Sequence, residues 1–97
     1  MRRKEVLRIL EAHREDLRER FNVTSIRLFG SVARGEGTDT SDVDILVDFG
    51  VKPSLFGFLR LRTYLEALLG APVDLVTESG LKDRARPYVE QDAINVA

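Results

Sequence analysis

Cysteine is absent from the 97-residue chain, which excludes disulfides, thiolate metal sites and a cysteine nucleophile and fits a reducing compartment. Histidine occurs once, at position 13, and without a second imidazole or a thiol it reads as a surface residue rather than a ligand. No apolar run is long enough to span a bilayer. The first residues, MRRKEVLRILEAHRED, carry charges inside their apolar pattern, unlike a signal peptide, so the expectation is a cytoplasmic protein with no membrane partner. A basic stripe interleaved with aromatics is missing too, which disfavours a nucleic-acid acceptor. Repeats, low-complexity tracts and interdomain linkers are likewise lacking.

With 43% hydrophobic and 32% charged residues the chain can bury one modest core, and residues 1–97 read as one domain. The net charge of −1 conceals an uneven spread. Residues 1–27 hold eight Lys or Arg against five Asp or Glu, residues 28–50 hold one against five, and the rest balance at six each. The acidic zone coincides with the most informative stretch of the chain.

That stretch, Leu28 to Phe49, reads LFGSVARGEGTDTSDVDILVDF. An apolar run with Ile26, Leu28 and Phe29 ends at Gly30-Ser31, followed by a short helix-compatible segment, Val32 to Arg34. Backbone amides at a helix start favour an anion and a glycine lets it come close, so Gly30 and Ser31 form a candidate phosphate seat. After a polar loop, Gly35 to Ser41, the segment Asp42 to Phe49 alternates as a strand. Val43, Ile45, Val47 and Phe49 share one face, and Asp42, Asp44, Leu46 and Asp48 the other. Burial of the apolar face makes the carboxylates project from a rigid strand. The Cα atoms of Asp42 and Asp44 lie about 7 Å apart. Their repulsion is roughly 2 kcal/mol at an effective dielectric near 20, which suits a cation such as Mg²⁺. Asp48, further along the strand, reads as structural, and Asp39 as a loop residue without a role.

Around this stretch the periodicity predicts an amphipathic helix from Arg3 to Arg20 through Val6, Leu7, Ile9, Leu10 and Leu17. A first strand runs from Val23 to Gly30. A helix from Leu55 to Leu69 is capped by Ser54 and closed by Gly70-Ala71-Pro72. Val73 to Thr77 is a third strand, Leu81 to Gln91 a helix interrupted at Pro87, and Ala93 to Val96 a short edge strand. The order implies an α/β domain, a small mixed β-sheet backed by helices on one face. The helix Leu55 to Leu69 is apolar nearly all round. Leu55, Phe58, Leu59, Arg62 and Leu65 mark one stripe, and Phe56, Leu61, Tyr64 and Leu68 a second. The second is either covered by Leu81, Tyr88 and the C-terminal segment or left as a docking patch.

The order Gly-Ser, ten residues, Asp-x-Asp, with Ala33-Arg34-Gly35 and Ser41 between, resembles the signature of the polymerase-beta-like nucleotidyltransferases. With its shortness, and Asp74 in Pro72-Val73-Asp74-Leu75-Val76 as a third carboxylate, the chain is most similar to the minimal nucleotidyltransferases that accompany a HEPT-domain toxin. The resemblance implies the polymerase-beta-like nucleotidyltransferase fold, with the Asp74 strand beside the carboxylate strand. It implies Mg²⁺-dependent transfer of AMP from ATP to a hydroxyl, with pyrophosphate leaving. Asp42 and Asp44 would hold the metal, and Asp74 would complete a metal site and orient or deprotonate the attacking hydroxyl. Gly30 and Ser31 would hold the β- and γ-phosphates, and Arg34 is a candidate either for the triphosphate or for the surface. Larger relatives carry an acceptor-binding domain that has no room here. The resemblance therefore makes the HEPT-domain toxin both partner and substrate, neutralised by AMP on a tyrosine, with this chain the antitoxin of a type VII-like pair in a homo- or hetero-oligomer. Two other functions stay open: a non-catalytic antitoxin or binding module acting by contact, and a nucleotidyltransferase acting on a small molecule or an RNA end.

Overall fold

A computed structural model describes residues 2–38, 40–81 and 86–96. Asp39 and residues 82–85 of the predicted last helix lie outside the described residues. The alternating apolar stretches become β1 (Val23–Phe29), β2 (Val43–Phe49), β3 (Val73–Thr77) and the two-residue β4 (Ile94–Asn95). Across the sheet the order is β3-β2-β1-β4; β1 runs antiparallel to β2 and β4, and β2 runs parallel to β3. This is the mixed sheet expected, with β4 on its edge. A parallel pair needs a crossover, and α4 (Leu55–Leu69) supplies it. The predicted cap of α4 forms, with Gly57 N donating to Ser54 Oγ at 3.1 Å, and Gly70 ends the helix at φ 65°.

The predicted helix from Arg3 to Arg20 is two helices, α1 (Arg3–Ala12) and α2 (Arg14–Phe21). At His13 the backbone amide and the ring Nδ1 both reach Ile9 O, at 3.2 and 2.8 Å. This local competition for one carbonyl bends the chain while leaving Leu17 fully buried. Val6, Leu10 and Leu17 join Leu61, Leu65 and Leu69 of α4 over the apolar sheet face formed by Ile26, Leu28, Val43, Ile45 and Val47.

Two short helices complete the expected mixed sheet with its helices. Between β1 and β2 lies the single turn α3 (Gly30–Ala33), and α5 (Arg86–Asp92) packs against β1 and α3. Val89 of α5 and Leu46 of the carboxylate face are both buried, yet neither belongs to the main core cluster. Leu46, an apolar residue among carboxylates, has to be shielded from water, which the sequence pattern alone did not provide for.

The two stripes predicted on α4 are also redrawn. Leu61 and Leu65, one from each stripe, are both buried, because the helix turns the arc between them inward. Tyr64 packs on Phe21, with ring centroids 5.0 Å apart, and donates its hydroxyl to Asp16 at 3.3 Å. Leu55, Phe56 and Leu59 face outward, and Tyr88, expected as a cover, is itself 71% exposed.

Candidate active site

β1 ends where Phe29, still extended, hands over to Gly30 at φ 75°. That left-handed conformation swings the chain from strand into α3, and glycine adopts it without strain. In the antiparallel register Phe29 stands opposite Asp44, and in the parallel register Asp44 stands opposite Asp74. Folding thus brings the Gly30 turn, Asp44 and Asp74 into one row across three strands. A Cβ added to Gly30 would lie 2.9 Å from Asp44 Cγ and closer still to Oδ2. The close approach that the sequence assigned to a ligand is therefore made first by the chain's own carboxylate.

Asp42, predicted as the first strand residue, is exposed and lies one position before β2. The loop leading to it is shaped by Thr38 N donating to Ser41 Oγ at 2.9 Å and Ser41 N donating to Thr38 O at 3.1 Å. Val43 N then donates to Pro72 O at 2.9 Å, and Val73 N to Glu66 Oε2 at 3.0 Å, which ties the starts of β2 and β3 to each other and to α4. Ser31 is half-buried, and its hydroxyl has no hydrogen-bond partner among the described residues.

Burial, then the charges of Asp74 and Asp42, and a hydrogen bond to Asp74 push the Asp44 carboxyl up to about 6, well above the usual carboxylate range. The positive charge of Arg34 pulls the other way. Arg34 itself donates from Nη1 to Asp92 at 2.7 Å and from Nε to Glu36 at 3.0 Å. These two bonds, Asp92 first, hold its guanidinium more firmly charged. Two of its nitrogens are thus engaged by carboxylates of the chain, while Nη2 makes no hydrogen bond among the described residues. Asp92 and Glu36 carried no signal in the sequence; only the packing of α5 against α3 brings Asp92 to Arg34.

Among the described residues no three acidic or histidine side chains already converge where an ion would sit. The donor set still suits a hard divalent cation. Carboxylates of Asp44 and Asp74 face each other on neighbouring strands with Asp42 adding charge, and the like-charge load on Asp44 is what a cation relieves. Asp48 lies apart from this group, in the wall of a cavity of about 770 Å³ at the other end of β2 and β3, together with Lys52, Phe58, Glu78 and Arg86.

A small mixed sheet with a glycine-serine turn set against carboxylates on neighbouring strands defines a nucleotidyl-transfer enzyme. The nucleotidyltransferase domain family matches residues 10–96, and the chain belongs to that family. It is 52% identical to the protein adenylyltransferase MntA of Thermococcus cleftensis, over 95% of this chain and 93% of that one. A solved chain classed as a minimal nucleotidyltransferase superposes with a TM-score of 0.79 at 42% identity, covering 97% of this chain and 95% of that one. The fold recurs, at 20% identity and a TM-score of 0.68, in a complex of AMPylated Shewanella oneidensis HEPN toxin with its MNT antitoxin, over 94% of this chain and 71% of that one. No helix among the described residues is long and apolar enough to cross a membrane.

Proposed function

We propose that this nucleotidyltransferase transfers AMP from ATP to a tyrosine hydroxyl of a HEPT-type toxin, with Mg²⁺, in the cytoplasm, as the antitoxin of a type VII-like pair. The observation that carries the proposal is the register that sets Asp44 opposite Asp74 with Gly30 against Asp44. The 52% identical relative, named a protein adenylyltransferase, supports AMP as the transferred group and a protein as the acceptor. The fold shared with the antitoxin complex of an AMPylated toxin supports the kind of partner.

In this reading the Gly30 turn and the Ser31 hydroxyl hold the β- and γ-phosphates. Asp42, Asp44 and Asp74 are the residues that would hold Mg²⁺, which when bound supplies charge neutralisation and polarises the phosphoryl oxygens. The acceptor oxygen attacks the α-phosphorus, the bond to the bridging oxygen of the β-phosphate breaks, and pyrophosphate leaves with the bonding pair. The hydroxyl proton passes to Asp74, which lies exposed on the edge strand β3 where an incoming tyrosine meets it. Arg34 joins the triphosphate through Nη2, the nitrogen that Asp92 and Glu36 leave open. Residues 1–97 act as one catalytic domain, and the surface that presents the tyrosine belongs to the partner.

Incubation with ATP, Mg²⁺ and a purified HEPT-type partner tests this by peptide mass mapping. AMP should appear on a tyrosine, vanish when that tyrosine is phenylalanine, and fall about 100-fold or more with Asp44→Asn or Asp74→Asn. A partner silenced without being modified would replace the proposal with neutralisation by contact.

A further inference from the structure

Leu55, Phe56 and Leu59 fall in one outward arc of α4 at 100° per residue, with Phe56 73% and Leu55 69% exposed. Val51, just before the helix, is 70% exposed. Scattered apolar residues at a surface are ordinary, but Leu55, Phe56 and Leu59 are neighbours on one helix face of a domain with little core to spare. The opposite side of α4 is already filled by Leu61, Leu65 and Leu69. Beside the patch opens the cavity of about 770 Å³, walled in part by Leu55, Phe58, Pro53 and Phe49.

The borders of the patch are cationic. Arg60 and Arg62 flank the arc on its two sides and Lys52 precedes it, all three exposed and without an ion-pair or hydrogen-bond partner among the described residues. The one acid on α4, Glu66, is engaged by Val73 N. A second copy docked here about a two-fold axis would gather both copies' Lys52, Arg60 and Arg62 at one interface, with Asp48 the cavity's single unpartnered carboxylate among the described residues to offset them.

We infer that the outward face of α4, with Phe56 at its centre, docks a different protein whose contact surface is an apolar ridge with acidic flanks. This rests on the proposed function, in which that protein is the toxin acceptor. From Asp44 to Phe49 is about 16 Å along β2, so this surface holds the acceptor without touching the reacting atoms. It sets the affinity for the partner, and the carboxylate end sets the rate.

The test uses the whole chain with the purified HEPT-type partner, following binding by calorimetry and transfer by mass. Phe56→Glu should weaken partner binding about 100-fold and raise KM for the partner, with ATP affinity and melting temperature unchanged. Arg60→Glu combined with Arg62→Glu should weaken binding about 10-fold and flatten its salt dependence. Leu55→Ser carries the same expectation and replaces Phe56→Glu if that variant melts early. Asp44→Asn separates the two claims: it should bind the partner like wild type while transfer is lost, so defective chemistry and defective docking read differently. Wild-type affinity in Phe56→Glu and Leu55→Ser would overturn the docking surface. So would a homodimer seen by sedimentation velocity that Phe56→Glu dissociates.

Discussion

Gly30 and Asp44 constrain one another. Glycine at Gly30 is required twice, by its φ of 75° and by the Asp44 carboxylate that occupies the space of a Cβ. Gly30→Ala should therefore cost about 2–4 kcal/mol in urea unfolding, combining left-handed strain with overlap. In an Asp44→Ala background the same change should cost measurably less, because the overlap with the carboxyl is gone and only a tight 3.2 Å contact to the Cβ at position 44 remains. Equal losses in both backgrounds would show that the two residues do not meet. A phosphate seat alone makes Gly30 matter to the ligand; its contact with Asp44 predicts damage to the carboxylate site as well. Asp44 also makes stability depend on pH. Its carboxyl titrates at about 6 when folded against an ordinary 3.8, so the native state holds the proton more tightly. The destabilisation is absent below about pH 4, grows as pH rises through 6, and is complete above it. Because the carboxyl is half-exposed, water screens much of the effect and about 1 kcal/mol remains, or about 4–8 °C in melting temperature. Without divalent cations Asp44→Asn should melt above wild type at pH 7.5 and level with it near pH 4. Mg²⁺ should narrow the gap by stabilising wild type alone.

For the elements, α4 shows what could be read from sequence. Both ends were legible because each has a local chemical cause, the Ser54 hydroxyl at one end and the left-handed Gly70 at the other. Its buried arc was not legible: apolar residues occupy nearly the whole circumference, so periodicity does not select a phase, and only the sheet beneath does. Calorimetric melts check the assignment. Leu61→Ala should cost about 2–5 kcal/mol, Ser54→Ala about 1, and Leu55→Ala no more than about 0.5. The break at His13 leaves no mark in the pattern because no helix breaker stands there; a side chain bonding to Ile9 O makes it. The predicted strands survived within a residue or two because alternation and glycine fix them locally.

Across the whole molecule, the pairing of Asp44 with Asp74 joins residues thirty positions apart through a parallel crossover. Alternation placed Asp44 on its face but said nothing of Asp74, whose role came from the family resemblance. The ion pair of Arg34 with Asp92, fifty-eight positions apart, had no precursor in the pattern, since it depends on α5 packing against α3, and neither had the burial of Leu46 among carboxylates. The central claim is that this acidic row moves a nucleotidyl group, and the position of an isotopic label tests it most directly. With Mg²⁺ and the HEPT-type partner, label on the α-phosphate of ATP should appear in the partner, label on the γ-phosphate should not, and Asp74→Asn should abolish incorporation. Label arriving from the γ-phosphate, or full incorporation by Asp74→Asn, would contradict it.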